Sequence, residues 1–246
     1  MTLSGKRVLI TGGGTGVGAD LARSFARSGA EVVVVGRRLA PLESVASAIP
    51  EISALQADVT DEAAVQDMFE RAGPCDIVIA NAGVADSAPF ERVTLDHWNT
   101  MLSVNMTGTF LTFREGLRQM TGWGRLIAIA STAGLKGYRY VAPYAASKHG
   151  IIGLVRSLAL EVASRPITIN ALCPGFLDTE MTERSIANIV EKTGKPREAA
   201  VAALTASNPQ KRLVQPCEVS AMAHMLCMPG AESINGQAVA IAGGEI

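Results

Sequence analysis

Thr11-Gly12-Gly13-Gly14-Thr15-Gly16-Val17-Gly18 separates two segments of different pattern. Before it, Arg7–Ile10 is a short apolar run; after it, Val17, Leu21 and Phe25 recur every fourth residue and mark one face of a helix, which Gly29 stops. Glycines between a buried strand and a helix start let the backbone turn sharply and approach an anion. The free N–H groups and positive dipole end of the helix then face that anion, a geometry suited to a pyrophosphate. No lysine completes a P-loop, which disfavours a nucleoside triphosphatase.

Outward from this loop the same rhythm repeats. Arg7–Ile10, Glu31–Val35, Ile52–Ala57, Asp76–Ala80, Arg125–Ala130, Thr168–Leu172 and Ala238–Ile241 read as strands. Most are uninterrupted apolar runs, as expected when both strand faces are buried. Asp61–Arg71, Leu95–Met120, Pro143–Ser164 and Cys217–Met228 read as helices between them. The alternation predicts an α/β chain with a doubly wound, seven-stranded parallel sheet and helices on both faces, formed as a single domain over residues 1–246. Glu180–Ser207 has a helical pattern outside the rhythm and is read as a mobile substrate cover, near 180–208. No repeat, low-complexity tract or interdomain linker interrupts the chain.

With 246 residues, 48% of them hydrophobic, a large core is available. The formal net charge of −1, with both signs interspersed, gives no footprint for nucleic acid or an anionic membrane and suits a small neutral or anionic ligand. Cys75, Cys173, Cys217 and Cys227 lie too far apart for a zinc knuckle or redox dithiol and read as free thiols in a reducing compartment. No metal site is expected, because His97 and His224 have no acidic or cysteine companions. The first residues lack a signal-peptide pattern, and no apolar run approaches the roughly 20 residues of a membrane span, so a cytoplasmic location is expected.

Three groups of residues carry the chemistry. The second strand ends Val35-Gly36-Arg37-Arg38, with no acid to bond ribose hydroxyls and two guanidiniums available for a 2′-phosphate, which favours NADP(H) over NAD(H). Asp58, in Ala57-Asp58-Val59, stands where it either contacts a ligand or caps a helix. Tyr144 and Lys148 are one helical turn apart and share a face, thirteen residues or more beyond Ser131. A phenol with a reference pKa of about 10 needs a nearby positive charge to exchange protons near neutrality, and Lys148 is placed to supply it. Ser131 is placed to hold a substrate oxygen in line with the phenol. Tyr138 and Tyr140 lack a lysine one turn later and read as pocket or loop residues; His149 reads as structural or exposed.

The glycine loop matches Thr-Gly-x-x-x-Gly-x-Gly at every fixed position, and with Ser131, Tyr144 and Lys148 the chain resembles the short-chain dehydrogenase/reductase family. The likeness runs from Thr11 to Gly243-Gly244 and is nearest to the 3-oxoacyl reductase branch around Tyr144 and Pro174. It implies a Rossmann fold and hydride transfer between nicotinamide and a ketone or secondary alcohol. Asn105, Ser131, Tyr144 and Lys148 would be the catalytic group, Asn105 holding a water that relays protons from Lys148. The cofactor-binding set would be Gly12, Thr15, Gly16, Val17, Gly18, Arg37, Arg38, Asp58, Val59, Asn81, Ala82, Gly83, Tyr144, Lys148, Pro174, Gly175, Phe176 and Thr179. Within it, Asp58 would contact the adenine amino group and Thr179 the carboxamide.

Substrate contacts are expected from Asp86–Phe90, Gly134–Val141 and the cover, whose mixture of apolar and aromatic residues suits a partly apolar ketone or acyl thioester. Lys192, Lys195 and Arg197 read as a solvated helix face rather than a phosphate site. An NAD-linked alcohol or sugar dehydrogenase is the enzyme alternative, and a dinucleotide-binding sensor the non-enzymatic one. The resemblance also implies a homotetramer or dimer, with Leu154, Leu158, Val239 and Ile241 as apolar interface candidates.

Overall fold

A computed structural model describes residues 2–246. The strands are β1 (Arg7–Thr11), β2 (Glu31–Gly36), β3 (Ile52–Gln56), β4 (Ile77–Ala80), β5 (Gly124–Ile129), β6 (Ile167–Pro174) and β7 (Ala238–Ile241). The helices are α1 (Gly16–Arg27), α2 (Leu39–Ala46), α3 (Glu62–Ala72), α4 (Leu95–Met101), α5 (Gly108–Gln119), α6 (Ala142–Glu161), α7 (Glu180–Thr193), α8 (Arg197–Leu204) and α9 (Pro216–Leu226).

All seven strands pair in parallel, in the order β3-β2-β1-β4-β5-β6-β7. The pleat divides the core in two. Leu9, Val33, Val78 and Leu126 point to the face covered by α3, α5 and α6, where they meet Phe69, Phe113 and Val155. Val8, Ile10, Val34 and Ile79 point to the other, against Leu21 and Phe25 of α1, Leu42 of α2 and Leu226 of α9. On that second face Phe25 stacks on His224 with ring centroids 4.0 Å apart. The order reverses between β1 and β4, and in such open sheets the crevice beyond the carboxyl ends at this switch is the natural ligand site.

Three local features depart from the sequence reading. The helix α2 was not anticipated, because it is only eight residues long and buries only Leu42 and Val45. The expected Leu95–Met120 helix is broken in phase by a π-helical segment, Leu102–Thr107. Just beyond it, the hydroxyls of Thr109 and Thr112 donate back to the carbonyls of Asn105 and Gly108, each at 2.7 Å. The expected continuous Glu180–Ser207 helix is two helices, because Gly194 takes a left-handed cap (φ 66) and Pro196 cannot continue the ladder.

Candidate active site

The two loops flanking the switch are tied to each other. The backbone N–H groups of Asn81 and Ala82 both donate to Thr11 Oγ1 at 3.1 Å, and Asn81 Nδ2 donates to the carbonyls of Thr11 (2.9 Å) and Gly12 (3.1 Å). Two glycines make the approach possible. A Cβ on Gly18 would lie 2.2 Å from the Gly12 carbonyl oxygen, and one on Gly12 would lie 2.9 Å from Asn81 Nδ2. Thr15 stands at the N-cap of α1 without a side-chain capping bond, so the first-turn N–H groups from Gly16 to Gly18 have no side-chain acceptor. Thr179, at the N-cap of α7, brings its methyl group close to the Cβ position of Gly16, at 3.4 Å.

Beside this loop lies a cleft of about 410 Å³. Its walls include the expected Gly12, Thr15, Arg37, Arg38, Asp58, Val59, Ala82 and Gly83. Gly14, Pro41, Leu42, Val84 and Val104 also line it, and none was singled out from the sequence. Gly16, Val17, Gly18, Asn81, Pro174, Gly175, Phe176 and Thr179 lie outside those walls, as do Tyr144 and Lys148. Arg37 and Arg38 are exposed and form no ion pair among the described residues. Asp61, not Asp58, caps α3; Asp58 instead accepts from the Thr60 N–H (2.9 Å) and hydroxyl (2.8 Å) in a tight turn. An elongated dianion with an adenosine end fits these features. Uncapped helix N–H groups await a pyrophosphate, an adjoining slot has Asp58 and Val59 on one wall, and unpaired guanidiniums stand at its far edge.

At the other end, Lys148 of α6 reaches back under the sheet. Its Nζ donates to the Ile129 carbonyl at 2.8 Å and lies 3.7 Å from the Cβ position of Gly83. It is 5.6 Å from the centre of the Tyr144 ring. Burial lowers the Lys148 pKa to about 8. Burial likewise pushes the Tyr144 phenol up, partly offset by a hydrogen bond with Ser131. The Cys173 thiol is also pushed up, to about 11, by burial, which makes it a poor nucleophile.

Asn105 lies in the π-helical segment and is fully buried. Its Oδ1 accepts from the Val84 N–H (2.8 Å), and its Nδ2 donates to the Val84 carbonyl (3.0 Å) and to Ser147 Oγ (3.0 Å). Its side chain thus clamps the loop after β4 to α6, with both Nδ2 protons used and one lone pair of Oδ1 still free. Ser131 accepts from the Ala133 N–H at 3.1 Å at the head of the turn after β5. Ser131, Tyr144, Lys148 and Asn105 are thus gathered around the ends of β4 and β5. Pro174 ends β6, where Gly175 N–H donates to the Ile241 carbonyl at 3.0 Å, and Phe176 packs edge-on against Tyr138. Tyr140 is exposed with φ 68, and His149 is exposed with its ring against the Ala145 carbonyl. Among the described residues no group of three or more metal-binding side chains occurs, and no helix is long and apolar enough to cross a membrane.

Comparison with known proteins agrees with this geometry. The short chain dehydrogenase family profile matches residues 6–190. A putative ketoacyl reductase of Streptomyces coelicolor is 34% identical over 248 residues, covering 96% of this chain and 95% of that protein. A D-beta-hydroxybutyrate dehydrogenase of Rhizobium meliloti is 32% identical over 254 residues, covering 97% and 98%. Among solved structures, an actinorhodin polyketide ketoreductase with NADPH superposes with a TM-score of 0.92 at 33% identity, covering 100% of this chain and 99% of that one. With the seven-stranded parallel sheet, the glycine loop at its switch point and the match along most of its length, the chain belongs to the short-chain dehydrogenase family of oxidoreductases.

Proposed function

We propose that the chain is a ketone reductase that uses NADP(H) in preference to NAD(H) and acts on a partly apolar ketone of the 3-oxoacyl type. The observation that carries the reading is the convergence of Ser131, Tyr144 and Lys148 beside the cleft that begins at the glycine loop. A bound nicotinamide dinucleotide supplies the hydride. Tyr144 keeps its proton at neutral pH, because burial favours the neutral phenol, and is therefore an acid ready to protonate a developing alkoxide. Ser131, beside the phenol, is placed to hold the substrate oxygen in line with it. Lys148 anchors the α6 face to β5 through the Ile129 carbonyl and brings a cation beside Gly83. Asn105 positions the loop after β4. Arg37 and Arg38 favour a 2′-phosphate through unpaired charge.

Tyr138 and Phe176 offer an aromatic wall for an apolar substrate portion. The ketoreductase likeness supports this direction, whereas the hydroxybutyrate dehydrogenase likeness favours a second reading, oxidation of a small secondary alcohol with NAD. Assembly as a homotetramer or dimer is supported by the outward-facing Phe110 and Leu160, the latter 80% exposed. The free cysteines fit a reducing, cytoplasmic setting. The test is a panel of carbonyl compounds with NADPH and Tyr144→Phe as control. The wild type turns over at least one ketone, and the variant loses about 100-fold or more in kcat while NADPH binding persists. Equal turnover by Tyr144→Phe refutes the assignment.

A further inference from the structure

The last residues of the chain form a built contact that the reaction chemistry does not use. Glu245 follows β7, yet its side chain is only 2% exposed. One of its oxygens, Oε1, meets three donors from two other parts of the fold: Tyr138 Oη at 2.6 Å, Ser207 Oγ at 2.7 Å and Lys136 Nζ at 2.9 Å. Since a phenol has one proton, and Tyr138 gives it to Glu245, the Thr132 hydroxyl 2.7 Å away donates to Tyr138. A relay of hydrogen bonds therefore runs from the turn that carries Ser131 to the tail. The Tyr138 ring held this way meets Phe176 edge-on, with centroids 6.4 Å apart.

The tail is seated as closely as its charge. Gly243 has φ 61, and a Cβ there would lie 2.3 Å from Asn208 Oδ1; Gly244 has φ 90 and packs on Pro209. Asn208 and Pro209 follow α8, the second helix of the cover. Burial works to raise the Glu245 pKa, but the bonds from Tyr138, Ser207 and Lys136 outweigh it and hold the group as a carboxylate.

We infer that Glu245 is a positioning residue for the substrate. As a carboxylate clasp it locks the end of the α7–α8 cover to the Lys136–Tyr138 loop, and so fixes the aromatic Tyr138–Phe176 wall against which the apolar part of a ketone packs. The inference rests on the proposed ketone reductase activity for its substrate arm and on the fold alone for its structural arm. It implies that the tail acts on substrate affinity and on the order of the cover, and leaves the dinucleotide seat alone.

The test uses full-length Glu245→Gln and Ser207→Ala. Ser207 is exposed, so its replacement cuts only the link to the cover and preserves folding. Expected for Glu245→Gln is a KM for ketone raised about tenfold, in line with loss of a charge-assisted contact, with kcat and NADPH affinity within about twofold of wild type. Ser207→Ala moves KM in the same direction by a smaller factor. Hydrogen exchange, read on the protein without substrate, rises in residues 180–208 and 135–141 of both variants and stays unchanged in residues 11–18. Unchanged exchange in both segments overturns the clasp, whether or not any ketone is turned over. Changed exchange with unchanged KM, or a loss confined to kcat, overturns its role in holding substrate. A wild type that reduces no ketone, with the exchange result as expected, removes the activity reading and the substrate role but leaves the clasp.

Discussion

Replacing Gly36 with Asp should reverse the proposed preference for NADP(H). The end of β2 has room for the side chain: a Cβ on Gly36 meets only Leu42, at 3.6 Å or more, an ordinary van der Waals contact. The backbone there is not in the left-handed region, so the substitution introduces no strain. The new carboxylate would sit on the cleft wall next to Arg37 and Arg38, both of which are exposed and lack an ion-pair partner in the wild type. One guanidinium–phosphate contact contributes about 1.5–3 kcal/mol. At about 1.4 kcal/mol per tenfold, Arg37→Ala alone should weaken NADPH by about 10- to 100-fold and leave NADH within about twofold. Gly36→Asp adds repulsion of the 2′-phosphate and a new acceptor for the ribose hydroxyls, which carries the ratio past unity. The assay is kcat/KM for NADPH and NADH at one fixed ketone concentration in wild type, Arg37→Ala and Gly36→Asp. A wild type that prefers NADH, or an Arg37→Ala variant that loses both cofactors equally, refutes the reasoning.

Two further outcomes follow from the same geometry. Asn81→Ala removes two hydrogen bonds to the Thr11 and Gly12 carbonyls, so urea denaturation should show a loss of about 1–3 kcal/mol, accompanied by a raised KM for the dinucleotide; unchanged stability would show that the amide does not hold the loop. Lys148 has a folded pKa of about 8 against an ordinary value of 10.5, so between these pH values the unfolded chain binds a proton that the folded chain has released. Stability from this group therefore rises with pH across that window, and is lost as pH falls toward 8. Thermal melts of wild type and Lys148→Met at pH 7.5 and about pH 10 should show the wild type gaining on the variant as pH rises, and parallel behaviour would exclude the buried, easily discharged lysine.

The strands were legible because parallel strands buried on both faces leave continuous apolar runs, and their ends fell within two residues of the runs in the sequence. The glycine loop was legible because φ and close approach restrict which residues can occupy it, as the 2.2 Å clearance at Gly18 illustrates. Pro41, Leu42, Val84 and Val104 were not found, since they line the cleft through ordinary packing and carry no motif. The π-helical segment was not anticipated, because a change in the backbone ladder over Leu102–Thr107 carries no residue signature there. The partnership of Tyr138 with Glu245 spans 107 positions, a separation at which no local pattern operates. Spacing places a cation one turn from Tyr144, but it does not show the Ile129 carbonyl that accepts a bond from that cation.

Thr11 gathers both N–H groups of the neighbouring turn onto a single hydroxyl, and Asn81 returns the favour to the opposite backbone. The seat at the crevice is consequently assembled when the sheet forms, before any guest arrives, and little ordering entropy has to be surrendered at docking. Adaptation to a different guest is then cheapest in α7 and α8, which bury only Thr182, Ile186 and Ala200 and can be rewritten without disturbing the strands beneath.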